Sequence, residues 1–291
     1  MPHRVICFGE ILWDFLPKGK EPGGAPLNVT YHLNKTGVPA ALISRLGKDE
    51  LGEEFMRVLR EKKVPAVFIS SDPDHDTGKV FADTNQKEEV TYRIVEPVAW
   101  DFIEWKPEFQ EAVGRADYFV FGSLACRNEY SRNSLLKLLE AANIRVFDVN
   151  LRPPHFQKET IVELMKKAEL LKLNHNELEL IAGWFGNETD EIEQMKLLQE
   201  KFSINTVVVT RGARGACVLT NGKWYEQSGF KVQVVDTVGS GDAFLAGFLS
   251  SLLNKHDPQY CLELACALGA TVARYAGACP DYAMEEALEL I

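Results

Sequence analysis

The chain has 291 residues, 46% hydrophobic, 25% charged and 10% aromatic. That length suits one large α/β domain or two ordinary ones of about 150 residues, and the composition excludes collagen-like, low-complexity and disordered classes. The net charge of −10, from 32 Lys and Arg against 42 Asp and Glu without a dense basic block, argues against nucleic acid and anionic membrane surfaces as partners.

In chain order, Val5–Phe8 predicts the first of a series of short apolar strands, too brief for a signal-peptide core and far from the roughly 20 residues of a membrane helix. Further strands are predicted at Ala41–Ser44, Val67–Ser70, Tyr118–Gly122, Val146–Val149, Leu170–Leu173 and Thr206–Thr210. Between them, helical periodicity covers Leu27–Lys35, Glu50–Lys62, Tyr130–Ala142, Thr160–Ala168 and Ile192–Lys201. Strands alternating with helices imply βαβ units and a mostly parallel sheet covered on both faces. Two regions break the alternation, Trp13–Pro22 and Lys79–Val95; they read as antiparallel strands, with Asn85-Gln86-Lys87 as a turn.

After Thr210 a β-rich stretch is expected over Gly215–Thr220, Lys223–Gln227 and Phe230–Val235, with a hairpin turn at Asn221-Gly222. Helices follow at Gly241–Leu253 and Pro258–Tyr275; the first is apolar nearly all round and therefore buried. With no linker and no internal repeat, residues 1–291 read as a single α/β domain with a small β extension. The six cysteines (Cys7, Cys126, Cys217, Cys261, Cys266, Cys279) form no C-x-x-C pair and sit mostly in apolar runs. They read as buried small hydrophobes, and a cytoplasmic setting is expected.

Five short motifs lie at strand ends or helix starts. In Asp236-Thr237-Val238-Gly239-Ser240-Gly241-Asp242 a glycine-containing loop leads into the buried helix. Unpaired amides there would bind an anion, and Asp242 is either a helix-capping aspartate or a general base beside a held phosphoryl group. The helix dipole is expected to lower the Asp242 pKa. Gly23-Gly24-Ala25-Pro26-Leu27-Asn28 opens the first helix. Arg45–Gly52 carries S-R-L-G-K-D-E-L-G from Ser44, and Asp148-Val149-Asn150-Leu151-Arg152 ends a strand where open α/β sheets bind ligands. Asn174-His175-Asn176-Glu177 is either a capped helix start or part of a site, and Thr210-Arg211-Gly212 is a glycine turn after a buried strand. A Walker A loop, a G-x-G-x-x-G after the first strand, a G-x-S-x-G elbow and a histidine zinc motif are all missing. The run Asp72–Asp76 imitates an EF-hand start but has Thr77 where glycine is required, so it reads as a solvated turn.

Taken in order, these motifs resemble the ribokinase-like (PfkB) carbohydrate kinases, and most of all their fructokinase branch; the likeness runs from about residue 5 to about residue 280. The resemblance implies a three-layer α/β/α body with a mostly parallel central sheet and a small β lid at about 11–22 and 78–96. It implies transfer of the ATP γ-phosphoryl group to a sugar hydroxyl, with fructose as acceptor; ribose, 2-keto-3-deoxygluconate, a nucleoside or a sugar phosphate are alternatives, as is a silent regulatory homologue. By resemblance, Asp242 is the base and Gly239, Ser240 and Gly241 the anion hole, while Asp14, Gly24 and Asn28 contact sugar hydroxyls. Arg93 and Arg152 are the candidate cations on the acceptor side, Arg152 facing the transferring phosphoryl. Asn174, Thr210 and Gly212 contact nucleotide, and Glu177 organises Mg²⁺ through water. Asp236, Val238 and Gly277 match a monovalent-cation site, with K⁺ the implied ion. Cys266 departs from the family pattern near the adenine pocket, so no adenine contact is assigned there. Open lid edges make a homodimer through the lid an expectation as well.

Overall fold

The computed structural model describes residues 3–17, 19–84 and 90–291. In chain order, β1 (Val5–Phe8) leads through β2 (Leu12–Leu16) and β3 (Gly19–Gly23) into α1 (Ala25–Lys35), β4 (Ala40–Gly47), α2 (Glu50–Glu61) and β5 (Ile69–Asp72). Next come β6 (Gly78–Thr84), β7 (Val90–Ile94), α3 (Pro107–Arg115), β8 (Tyr118–Gly122), α4 (Glu129–Leu139) and β9 (Ile144–Asp148). They are followed by α5 (Lys158–Met165), β10 (Leu170–Asn174), α6 (His175–Ala182), α7 (Glu191–Phe202) and β11 (Thr206–Thr210). The hairpin β12 (Ala216–Thr220) and β13 (Lys223–Gln227) precedes α8 (Ser240–Leu253), α9 (Pro258–Val272) and α10 (Met284–Leu288).

A 9-stranded sheet runs in the order β13-β12-β11-β10-β9-β8-β1-β4-β5, parallel from β11 to β5, with the β12–β13 hairpin antiparallel at one edge. Side-chain alternation divides its core into two layers. Val5 and Cys7 of β1 pack with α1, α2, α8 and α9, whereas Ile6 and Phe8 pack with the helices from α3 to α7. Because both faces are covered, the strands read as continuous apolar runs. Helix α8, buried from Ala243 to Ser251, lies between α1 and α9 and explains its all-round apolar sequence.

A second sheet of 4 strands has the order β3-β2-β6-β7. Its pairing corrects the all-antiparallel expectation: β2 and β6 are parallel, since β6 enters from the end of β5 in the large sheet and not from a hairpin with β2. The turn expected at Asn85-Gln86-Lys87 lies outside the described residues. The S-R-L-G-K-D-E-L-G motif fixes this junction. Asp49 caps α2 by accepting the Gly52 amide (2.7 Å) and also takes the Thr77 hydroxyl (2.6 Å) and amide (2.8 Å), just before β6. Arg45 is buried and reaches Asp72 at 2.8 Å. Asp72 is therefore a buried ion-pair partner that also accepts the Asp74 and His75 amides, and the EF-hand-like run is not simply a solvated turn.

Two further expectations are corrected. The strand placed at Val67–Ser70 is Ile69–Asp72, because Val67 is 65% exposed in a turn and pairing with β4 starts at Ile69. Phe230–Val235 forms no strand: Val234 and Val235 are exposed, and the segment crosses to Ala273, whose carbonyl accepts the Val235 amide at 2.8 Å. Helices α3 and α10 were not predicted; they are short, with 9 and 5 residues.

Candidate active site

Carboxyl ends of parallel strands are where such sheets present binding groups, and the N-termini of α1 and α8 meet them here. A Cβ on Gly24 would overlap the Glu10 carbonyl just after β1, so α1 can start this close only from glycine. Gly239 precedes α8 with φ of 78°, and a Cβ there would lie 2.7 Å from the Ala278 backbone. In the first turn of α8 the Ser240 amide donates to Thr237 and the Asp242 amide to Gly239. Among the described residues the amides of Gly239 and Gly241 have no acceptor, and the Ser240 hydroxyl is buried without a partner. These are free donors at a helix N-terminus, the arrangement that holds a phosphoryl group.

Asp242 accepts the Asn28 amide nitrogen at 2.8 Å. Burial pushes its pKa up to about 6, the Asp148 charge adds to that, and Lys172, Asn28 and Arg152 pull it back. The shift is upward, with desolvation its largest cause, where the sequence led to a lowered value, and this makes Asp242 a better base. Lys172, in the middle of β10, is buried and pairs with Asp148 at 2.8 Å; among the described residues the second Asp148 carboxylate oxygen has no partner. A Cβ on Gly241 would sit 3.5 Å from the Lys172 ammonium, so this cation flanks the anion hole. Burial opposes its charge, yet Asp148, Asp242 and Glu177 together push the Lys172 pKa above the lysine range.

On the α1 side, Asn28 is buried and its oxygen accepts the Cys279 thiol at 3.3 Å. Asp14 on β2 lies against Gly23, and burial raises its pKa to about 6. Glu10 is buried with one oxygen unpartnered, and burial lifts its pKa to about 7. Arg152 is exposed, with its guanidinium bonded to the Leu151 carbonyl at 3.0 Å; its charge acts on Glu10, Asp14 and Asp242 alike. Arg93 stands apart on β7, with its guanidinium 4.7 Å from the Phe81 ring centroid.

Asn174 and Thr210 are register partners at the ends of β10 and β11. Asn174 caps α6 by accepting the Glu177 amide at 3.0 Å, and Glu177 returns the bond to the Asn174 amide at 2.8 Å. The other Glu177 oxygen accepts the Leu151 amide at 2.7 Å, tying this cap to the Arg152 loop. The capping alternative for this motif is therefore realised in full, and burial raises the Glu177 pKa. Gly212, at φ of 57°, opens an exposed turn beyond Thr210. Asp236, Val238 and Gly277 are brought together: the Asp236 carboxylate accepts the Val238 amide at 3.0 Å and the Gly277 amide at 3.1 Å.

Sequence reasoning missed Lys172 and Glu10 as members of this cluster, and it placed Asp148 at a ligand-binding strand end without giving it a role. A lysine inside the apolar run Leu170-Leu171-Lys172-Leu173 was the available signal, since an ammonium in a buried strand needs a fixed partner.

The profile of the "pfkB family carbohydrate kinase" matches residues 18–284. Fructokinase-1 of Zea mays is 30% identical over 317 residues, covering 99% of this chain and 97% of the relative. Among solved structures, fructokinase from Vibrio cholerae O395, in its fructose, ADP and calcium ion bound form, superposes with a TM-score of 0.82 at 26% identity, covering 99% of this chain and 98% of that one. 2-Dehydro-3-deoxygluconokinase from Thermotoga maritima shares the fold at a TM-score of 0.85 and 21% identity, with 100% and 98% coverage.

Proposed function

The chain belongs to the pfkB carbohydrate kinase family, a phosphotransferase acting on a sugar hydroxyl on the ribokinase-like α/β fold, and from that premise we propose that it phosphorylates fructose with ATP. The observation that carries the mechanism is the cluster in which Asp242, held by Asn28, shares the N-terminus of α8 with free amides and the Lys172–Asp148 pair. The fructokinase names of the relatives, and fructose in the Vibrio cholerae structure, support the acceptor.

In this reading Asp14, Gly24 and Asn28 hold the sugar, with Glu10 beneath it. Asp242 takes the proton of the acceptor hydroxyl as that oxygen bonds to the γ-phosphorus and the bond to the ADP oxygen breaks. Gly239, Ser240 and Gly241 donate to the phosphoryl oxygens, and Lys172 and Arg152 supply positive charge from two sides. Asn174, Thr210, Gly212 and the anion-hole glycines line the nucleotide side. The unpartnered Ser240 hydroxyl and Asp148 oxygen, beside the free amides of Gly239 and Gly241, fit a phosphate chain with its magnesium. Mg²⁺ supplies charge neutralisation on the phosphates. Glu177 and Asp148 would face it through water, because both Glu177 oxygens already accept amides. Asp236, Val238 and Gly277 would hold K⁺ through backbone carbonyls, since the Asp236 carboxylate is committed to amides.

Residues 1–291 are read as one kinase unit in which the 4-stranded sheet, with the described residues of 11–22 and 78–96, closes as a lid that excludes water. Among the described residues the outer strands β3 and β7 pair with no further strand, and Leu16 is 38% exposed, which favours a homodimer through the lid. A monomeric mass at micromolar concentration would count against that dimer. All six cysteines are free and buried, which favours a cytoplasmic setting, and no described helix is long and apolar enough to cross a membrane.

A coupled ADP-release assay across fructose, ribose, glucose, 2-keto-3-deoxygluconate, adenosine and fructose 6-phosphate tests the acceptor. Fructose should exceed every other in kcat/KM. A higher value for 2-keto-3-deoxygluconate would overturn the fructose assignment and leave the sugar kinase intact; silence on all six would revive a non-catalytic role.

A further inference from the structure

We propose that Cys279 is a positioning residue: its thiol holds the Asn28 side chain in the one orientation that turns the amide nitrogen to the Asp242 carboxylate. The inference rests on the reading of Asp242 as the base.

An asparagine amide has a donor end and an acceptor end that differ little in shape, so its neighbours choose between them. Here both neighbours agree. The Cys279 Sγ–H donates to Asn28 Oδ1 at 3.3 Å, and Asn28 Nδ2–H donates to Asp242 Oδ2 at 2.8 Å. Turning the amide over would set oxygen against a carboxylate and NH₂ against a thiol that can serve it only as a weak acceptor. Asn28 is 5% exposed and Cys279 is 6%, so water has little access to replace the missing partner.

The sulfur is itself held from both sides of its peptide. The Lys62 ammonium donates to the Cys279 carbonyl at 2.8 Å, His32 meets the Ala278 carbonyl at 2.9 Å, and the Tyr31 hydroxyl donates to the Pro280 carbonyl at 2.6 Å. Ala278 in turn backs Gly239 at the head of the anion hole. Residues 278–280 thus form a strut with α1 on one side and the start of α8 on the other. Cys279 is the member of that strut whose side chain touches a residue of the acceptor pocket.

The charged and titratable groups acting on Asp242 are Asp148 of β9, Lys172 of β10, Arg152 of the loop after β9, Glu10 after β1, Cys7 of β1 and Cys279 itself. Loss of the Cys279 donor leaves all of the other groups in place. It removes only the bias on Asn28, whose N–H favours the ionised form of Asp242.

The test compares Cys279→Ala, which has no donor, with Cys279→Ser, which keeps one, reading kcat, KM for fructose and the pH profile of kcat/KM. Cys279→Ala should lose roughly tenfold in kcat, the scale of one hydrogen bond, and move the acid limb to higher pH. Cys279→Ser should recover most of that turnover and return the limb towards its wild-type position. If alanine and serine behave alike, whether both near wild type or both impaired with an unmoved limb, the thiol only fills space and the proposal is wrong. Asp242→Asn in the same series separates the two ideas. A dead Asp242→Asn with an unaffected Cys279→Ala overturns only the positioning role, whereas an active Asp242→Asn removes the base and the proposal with it.

Discussion

Replacing Lys172 by methionine tests the buried pair at the centre of the site. The ammonium and the Asp148 carboxylate are 2.8 Å apart, with side-chain exposures of 8% and 5%, and the other Asp148 oxygen has no partner among the described residues. Lys172→Met therefore strips Asp148 of its one hydrogen-bonded partner among the described residues while leaving the carboxylate buried. Removing one member of such a pair costs about 3–5 kcal/mol, a large share of the roughly 5–15 kcal/mol that holds a typical protein folded. With an m-value of about 3 kcal/mol per M, the urea midpoint should fall by about 1 M or more. The double variant Lys172→Met, Asp148→Leu removes both charges and should recover most of the loss, because an apolar replacement of a buried pair is often close to neutral. Turnover should fall on the order of 100-fold in Lys172→Met and should not return in the double variant, since the cation beside the anion hole is gone in both. Urea unfolding followed by circular dichroism, paired with an ADP-release assay, reads both effects. A single variant as stable as wild type, or a double variant no more stable than the single, would refute the reasoning.

Other consequences follow from the same geometry. Gly239→Ala forces a side chain onto a φ of 78° and to 2.7 Å from the Ala278 backbone; it should cost about 1–3 kcal/mol in urea unfolding and over 100-fold in kcat, whereas Gly212→Ala, at a φ of 57°, carries the backbone strain alone because its added Cβ meets nothing within 4 Å, and should lose less stability. The value of kcat/KM should fall below about pH 6 as Asp242 takes up its proton, with the limb shared with its coupled neighbours. Stability should rise on the order of 1 kcal/mol as pH drops from 8 to 6.5. Glu10 at about 7, with Asp14 and Asp242 at about 6, all have folded pKa values above their unfolded ones, so the folded state gains protons first. His32, lowered to about 4 by burial, opposes this only as pH falls through 6.5, and a urea midpoint lower at pH 6.5 than at pH 8 would contradict the assignment.

The layered body was legible because a strand covered on both faces must be apolar throughout its buried part, as Val5–Phe8 and the Val207–Val209 centre of β11 are. The parallel β2–β6 contact was not, because pairing between strands more than 60 residues apart leaves no local periodicity. Glycine motifs marked both helix N-termini, since Gly24 and Gly239 stand where any side chain would collide with backbone. Lys172 was hidden in its own strand. Its partner Asp148 is 24 residues earlier, and only the β9–β10 pairing brings them together. The sign of the Asp242 shift was misjudged for a related reason. A helix start is visible in sequence, but the burial that raises the Asp242 pKa comes from segments far apart in the chain.

The account stands most directly on Asp242→Asn, assayed for fructose and ATP binding by calorimetry and for turnover by ADP release. Asparagine preserves the shape and removes the base. Binding of both substrates should stay within a few-fold of wild type while kcat falls by several powers of ten. Near-normal turnover in that variant would contradict the account.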